Sequence, residues 1–222
     1  MQHDGTVNCW GNDESGQATP LVSTASRVAA GGYHTCALRE DGTVGCWGGN
    51  DHDQAVPPAG AFTQVTAGWN HSCAVRQDGT LACWGFDGQG QATPPDGTFT
   101  QVSAGTSHVC ALQQNGTLAC WGADGDGRTS PPGGVFSQVS TGGSHACAVR
   151  EDGTLACWGA DGDGQATPPA GTFRQLSAGD GHTCGQRTDG GVVCWGRDDV
   201  GQSSVPNGPY SLRRVGAGVE FT

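Results

Sequence analysis

Cys-Trp recurs at 9–10, 46–47, 83–84, 120–121, 157–158 and 194–195, an interval of 37 residues each time. A strict period of this length points to a repeat architecture, in which one unit cannot bury its own faces and its neighbours supply the cover. Each unit is dense in glycine and ends near a proline pair, and no ten-residue window carries a helical apolar stripe, so the unit is built from strands. With 40 glycines and 35% hydrophobic residues in 222, the chain is not expected to form one large central core.

The unit reads as a blade. "FTQVSAG" gives a first strand, "HVCALQQ" a second, "TLACWG" a third, and the "GQATPP" type of segment a short outer edge strand. The expected fold is all-β: a six-bladed β-propeller of 37-residue repeats forming one domain over residues 1–222, its ring closed by strands from both termini. The terminal "GAGVEFT" matches the "GAGxxHT" of other copies, so joining Thr222 to Met1 recreates a blade lacking two residues. A length excised from a longer array, or a redesigned scaffold, is the alternative reading of these ends.

The cysteines follow the same period. Second and third strands meet across "EDG", "QDG" or "QNG", a three-residue hairpin with glycine in the left-handed position. Such a turn sets Cys36, Cys73, Cys110, Cys147 and Cys184 opposite Cys46, Cys83, Cys120, Cys157 and Cys194, each pair ten residues apart. Five disulfides are expected, with Cys9 left as a free thiol. Five pairs of buried thiols remain an alternative, whereas zinc lacks two further ligands per unit. Disulfides would place the protein outside the cell or on its surface, although the opening "MQHDGTVNCWGN" has no signal-peptide character. A bacterial source is expected, which makes the sequons at Asn70 and Asn115 incidental.

With "WGADGDGQATPP", "FRQLSAGDGHTC" and "CAVREDGT" in hand, the chain resembles the regulator of chromosome condensation repeat superfamily of β-propellers. In repeat length it is most similar to the secreted bacterial propellers that inhibit β-lactamases. That resemblance implies a non-catalytic ring that binds protein through aromatic residues in the loop after the first strand. The paired cysteines are not part of the inhibitor pattern.

Loops after the first and third strands should emerge on one face. In the first of these loops the copies read Gly32-Tyr33, Trp69-Asn70, Thr106-Ser107, Gly143-Ser144, Asp180-Gly181 and Val219-Glu220. Positions that differ so freely are not required by the blade, and large aromatics among them are typical binding anchors. Phe86, beside Trp69, stands where most copies have Ala, Gly or Asn. The expected partner-binding residues are Tyr33, Trp69, Asn70, Phe86, Thr106, Ser107, Ser144 and Asp180; the competing reading is that the three rings only cover neighbouring blades.

The same face should carry Asp13, Glu14, Asp51, Asp53, Asp87, Asp124, Asp126, Asp161, Asp163, Asp198 and Asp199. Calcium is one reading of "DGDG", but the full EF-hand loop is absent and Asp-Gly is ordinary turn chemistry. His34, His71, His108, His145 and His182 recur once per unit and are expected to be structural, because equivalent sites on adjacent blades are too far apart to share zinc. The six tryptophans of the Cys-Trp dipeptides are expected to pack between blades.

A formal net charge of -11 argues against nucleic acid and anionic membrane as partners, and no apolar run is long enough to span a bilayer. No nucleophile elbow, phosphate loop or zinc-protease motif occurs, so neither an enzyme nor a cofactor is expected. The leading expectation is a monomeric module that binds a protein. A multivalent lectin is the rival, but it should repeat its aromatic in every blade; a structural scaffold without a ligand is the third reading.

Overall fold

The computed structural model describes residues 5–205. Within them the chain forms five antiparallel sheets, each of three consecutive strands. Sheet one holds β1 (Arg27–Ala30), β2 (His34–Leu38) and β3 (Val44–Gly48); sheet two holds β4 (Phe62–Ala67), β5 (His71–Arg76) and β6 (Leu81–Gly85). Sheet three comprises β7 (Phe99–Ala104), β8 (His108–Gln113) and β9 (Leu118–Gly122); sheet four, β10 (Phe136–Thr141), β11 (His145–Arg150) and β12 (Leu155–Gly159). The fifth contains β13 (Phe173–Ala178), β14 (His182–Arg187) and β15 (Val192–Gly196).

Among the described residues the blade count is therefore five, and the expectation of six is corrected. Counting Cys-Trp dipeptides overcounts, because a blade requires three paired strands. The stretch containing Cys9-Trp10 makes a single bridge, Thr6 to Thr24, at the margin of the first sheet. The expected closure between Met1 and Thr222 falls on residues 1–4 and 206–222, outside the described residues.

The outer edge strand is also corrected. The "GQATPP" segments carry turns instead of strand, because the proline pairs lack donors for a ladder and polar side chains hold the preceding loop. In that loop Asp87 accepts from Ala92 N and Thr93 Oγ1, and Gln91 Oε1 accepts from Gln89 N. Each segment then crosses to the next sheet, where a tryptophan Nε1 donates to it. Trp47, Trp84, Trp121, Trp158 and Trp195 reach the carbonyls of Gln17, Gln54, Gln91, Arg128 and Gln165 at 2.8–3.1 Å. These five tryptophans thus pin one repeat to the next, as expected of them, whereas the sixth, Trp10, is 84% exposed, so the expected packing role is corrected there.

The hairpins form in the expected register, with Cys36 opposite Cys46 and its four counterparts likewise. All five pairs are disulfide-bonded, and Cys9 is free. Glycine supplies the left-handed residue of each turn, as at Gly42 with φ 82°.

The apolar core is divided among the gaps between blades. Cys36, Leu38 and Val44 of the first sheet pack on Phe62, Val65 and Trp84 of the second. Cys73 and Val75 meet Phe99 and Val102 in the next gap, and Cys110 and Leu112 meet Phe136 and Val139 in the one after. Several thin sandwiches need fewer large side chains than one globular core, which accounts for the modest hydrophobic content.

Polar side chains join the innermost strands. A register shift after Phe62, Phe99 and Phe136 leaves Gln64, Gln101 and Gln138 reaching across to the next blade. There each amide donates to a backbone carbonyl and accepts from the same residue's N–H: Val102, Val139 and Leu176, at 2.8–3.0 Å. This carboxamide ladder mimics strand pairing between sheets that share no backbone ladder.

Candidate functional site

The residue after each third strand donates its N–H to the loop between the first two strands of the same sheet. Gly49 reaches Tyr33, Phe86 reaches Asn70, Ala123 reaches Ser107, Ala160 reaches Ser144 and Arg197 reaches Gly181, at 2.7–2.9 Å. Both sets of loops therefore share one surface, the loop face; the β-hairpin turns lie at the opposite, turn face.

The first strands end on this face around a central cavity of about 180 Å³, to which all five sheets contribute. Its wall is Ala, Gly, Ser and Thr, with Trp69 and Asp180 among the few larger groups. Small residues are required here because the blades converge. A Cβ on Gly68 would lie 2.5 Å from the carbonyl oxygen of Gly105 on the next blade and against the ring of His71.

The aromatic residues occupy one sector. Tyr33 and Trp69, from the first and second sheets, meet edge to face with ring centres 5.5 Å apart, yet they remain 45% and 37% exposed. Trp69 can lie where it does because its neighbour on sheet one is Gly32; a Cβ there would be 2.9 Å from the indole. Phe86, 38% exposed, belongs to a second pair, with its ring 4.9 Å from that of His52. Asn70 links the pairs: its backbone oxygen accepts from Phe86 N, and its side chain is 3.5 Å from Gln54 Nε2. Both ring pairs bridge the first and second blades.

His52 was missed by sequence reasoning. The signal was available, since it is the one histidine of the described residues outside the recurring set. Its neighbour Asp53 occupies a position that is glycine in the other copies and has φ 60°, the only positive φ of a non-glycine among the described residues.

Elsewhere the face is mostly small or polar, with Val200, 76% exposed in the loop after β15, an apolar exception. Thr106 lines the cavity, and Ser107 and Ser144 contribute the backbone contacts described above. The Asp180 carboxylate is 3.8 Å from Arg197 Nη1, and its backbone oxygen accepts from Gly143 N. The structure thus draws Tyr33, Trp69, Asn70 and Phe86 together, and sets Thr106, Ser107, Ser144 and Asp180 around the rest of the rim.

The "DGDG" carboxylates hold their own loops: Asp161 accepts from Ala166 N and Thr167 Oγ1, and Asp124 from Thr129 N. The recurring histidines lie beneath the face. His34 Nε2 bonds Ser72 Oγ of the next blade and His145 Nε2 bonds Thr183 Oγ1, both at 2.7 Å. His71 has no protein partner on either ring nitrogen. Burial pushes His34, His71 and His145 down to about 4 and His108 to about 3, so these rings are neutral at pH 7.

Comparison with known proteins follows the same five units. The model of the regulator of chromosome condensation (RCC1) repeat matches residues 25–54, 62–91, 99–128, 136–165 and 173–202. A search of curated proteins finds no match. Among solved structures, the chain is similar to the CRINKLY WD40 ectodomain of the Arabidopsis thaliana receptor kinase ACR4, with a TM-score of 0.82 and 22% identity over 98% of this chain and 81% of that one. The ectodomain of the Physcomitrella patens receptor kinase CR4 gives 0.70 and 26%, covering 82% and 55% of the two chains. Prp20p of Saccharomyces cerevisiae gives 0.69 and 21%, covering 81% and 58%. Five matched repeats, each coinciding with one three-stranded sheet, place the chain in the family of regulator of chromosome condensation (RCC1) repeat β-propellers.

Proposed function

We propose that this protein is a non-catalytic, extracellular binding module that recognises a protein partner through its loop face, centred on Tyr33, Trp69 and Phe86. The observation that carries the reading is the aromatic sector. Rings that only sealed the joint between blades would recur at every joint, yet the third, fourth and fifth sheets place Thr106, Gly143 and Asp180 where the second places Trp69. Large half-exposed rings beside small polar neighbours are the composition of a binding anchor. The same asymmetry speaks against a lectin with one site per blade.

The relatives support the class of function. Prp20p is described with its binding to Gsp1p and histones, and it has been seen with Kap60 bound. The five disulfides and the receptor ectodomains among the structural neighbours support an extracellular setting.

The test uses immobilised protein and Trp69→Ala and Tyr33→Ala variants whose melting is unchanged from wild type. Proteins from the source's surroundings retained by wild type and lost by both variants support the reading. Retention that ignores both substitutions refutes it, as does saturable binding of simple sugars at several sites per chain.

A further inference from the structure

Charge is divided unequally between the two faces. The eleven acidic residues named above, together with Asp180, lie on the loop face, and only two described arginines, Arg128 and Arg197, accompany them. Both are already paired, Arg128 with Asp126 and Arg197 with Asp199. The turn face carries seven described acidic residues against Arg27, Arg39, Arg76, Arg150, Arg174 and Arg187, and is close to neutral. Three of these arginines are held over the rings of Phe62, Phe136 and Phe173 at 4.9–5.1 Å. Nearly all of the net negative charge of the described residues is thus directed to one side.

The aromatic sector lies inside that field. Asp51 and Asp53 flank His52, Asp87 follows Phe86, and Asp180 borders the same cavity as Trp69. The described residues place no arginine in the sector itself. A face of exposed rings with carboxylates beside them suits long cationic side chains: the charged head meets a ring face or a carboxylate while its alkyl stem covers apolar surface. An acidic or neutral apolar partner would leave Asp51, Asp53 and Asp87 without a counter-charge or would be repelled by them.

Building on the proposed protein-binding role, we infer that the segment recognised is basic: a stretch of the partner that inserts Arg or Lys side chains between the Tyr33–Trp69 and His52–Phe86 ring pairs, against Asp51, Asp53 and Asp87. Strong dependence on ionic strength follows, because exposed charges are screened beyond about 8 Å in physiological salt.

The chain contains no lysine, which makes a direct test practical. A carbodiimide couples the protein's carboxylates to a lysine-bearing peptide and cannot join them to lysines of its own. The probe is a fluorescent, acetylated peptide of glycine alternating with two arginines and two lysines; its counterpart carries citrulline and acetyllysine. At 50 mM NaCl the basic peptide is expected to bind and the neutral one not. Raising NaCl to 500 mM should weaken binding about tenfold or more, and Asp51→Asn with Asp53→Asn about threefold per residue. Glu40→Gln with Glu151→Gln on the turn face should change nothing, and cross-links should map to Asp51, Asp53 and Asp87.

Equal binding of both peptides, or equal loss in the two charge variants, overturns the proposal. If partner capture depends on Trp69 while the basic peptide fails to bind, this inference falls and the binding face stands. If the basic peptide cross-links only to the turn face, this inference also falls, and partner capture by the Trp69 and Tyr33 variants decides the binding face.

Discussion

Mild acid should unfold this propeller well before its carboxylates titrate. His34, His71, His108 and His145 are fully buried and are held neutral down to about 4, and about 3 for His108. In each case burial is the leading cause. At His71 it is reinforced by His34 and opposed by Asp87, and at His108 it is reinforced by Arg128, His145 and His71. In the unfolded chain a histidine takes up its proton near pH 6.5. Between these values the unfolded state holds more protons, so stability is full above about 6.5 and declines as pH falls toward 4. Each such ring contributes a slope of about 1.4 kcal/mol per pH unit, and four together about 5 kcal/mol per unit. A domain of ordinary stability, about 5–15 kcal/mol, would lose most of it within one to three units.

Carboxylates leave this window clear. Asp41, Asp78 and Asp152 are held below their usual range, chiefly by hydrogen bonds from Thr43, Thr80 and Thr154, so their contribution is present above about pH 4 and is lost only below it. The assay is urea unfolding followed by tryptophan fluorescence at pH 7.0, 6.0, 5.5 and 5.0, with disulfides intact. His71→Met supplies the decisive comparison, because His71 has no protein hydrogen bond to lose. That variant should lower the slope by about 1.4 kcal/mol per unit. Stability that stays flat from pH 6.5 to 5.0, or a slope untouched by His71→Met, would refute the reasoning.

Three further outcomes are expected. Gln101→Ala removes both hydrogen bonds to Val139, a residue only 1% exposed, and should cost about 2–4 kcal/mol in chemical denaturation, since two buried backbone groups are left unpaired. Gly68→Ala places a methyl group against the Gly105 carbonyl of the next blade and should cost about 1–3 kcal/mol, seen as a lower Tm. Asp53→Gly restores the residue that other copies use at this left-handed position; relief of about 1–2 kcal/mol of strain exceeds the added chain entropy, so Tm should hold or rise while binding of the basic peptide weakens.

The sequence reveals those features that local geometry determines. A three-residue turn sets the strand register, so the opposition of Cys36 and Cys46, and of Val109 and Trp121, is legible from spacing alone. The sharing of one face by alternate loops follows from strand alternation in the same way. Features decided between repeats are harder to read. The glutamine ladder joins residues 38 apart in strands that are not neighbours in sequence; its trace was the recurrence of Gln64, Gln101, Gln138 and Gln175 one residue beyond a bulge. The outer strand fails for a local reason that was visible, the proline pair. The blade number fails because a conserved-looking dipeptide was counted where a complete set of strands was needed.

A repeat protein offers its own internal control for separating scaffold from site. Positions that serve the blade recur in all five sheets, with glycine where neighbouring carbonyls approach, histidine beneath it and tryptophan pinning the preceding repeat's segment. Glutamine holds the joint position in four of them, and Arg27 stands there in the first. Positions free of these duties show what the individual protein requires. At the joint between the first two blades four such positions depart together, with Tyr33, Trp69 and Phe86 large and half-exposed, and Asp53 left-handed where glycine would be relaxed. A strained aspartate beside an exposed ring pair contributes nothing to folding that glycine would not provide better. Its retention is accounted for by what its carboxylate does at the surface, which is why Asp53→Gly is expected to separate stability from binding.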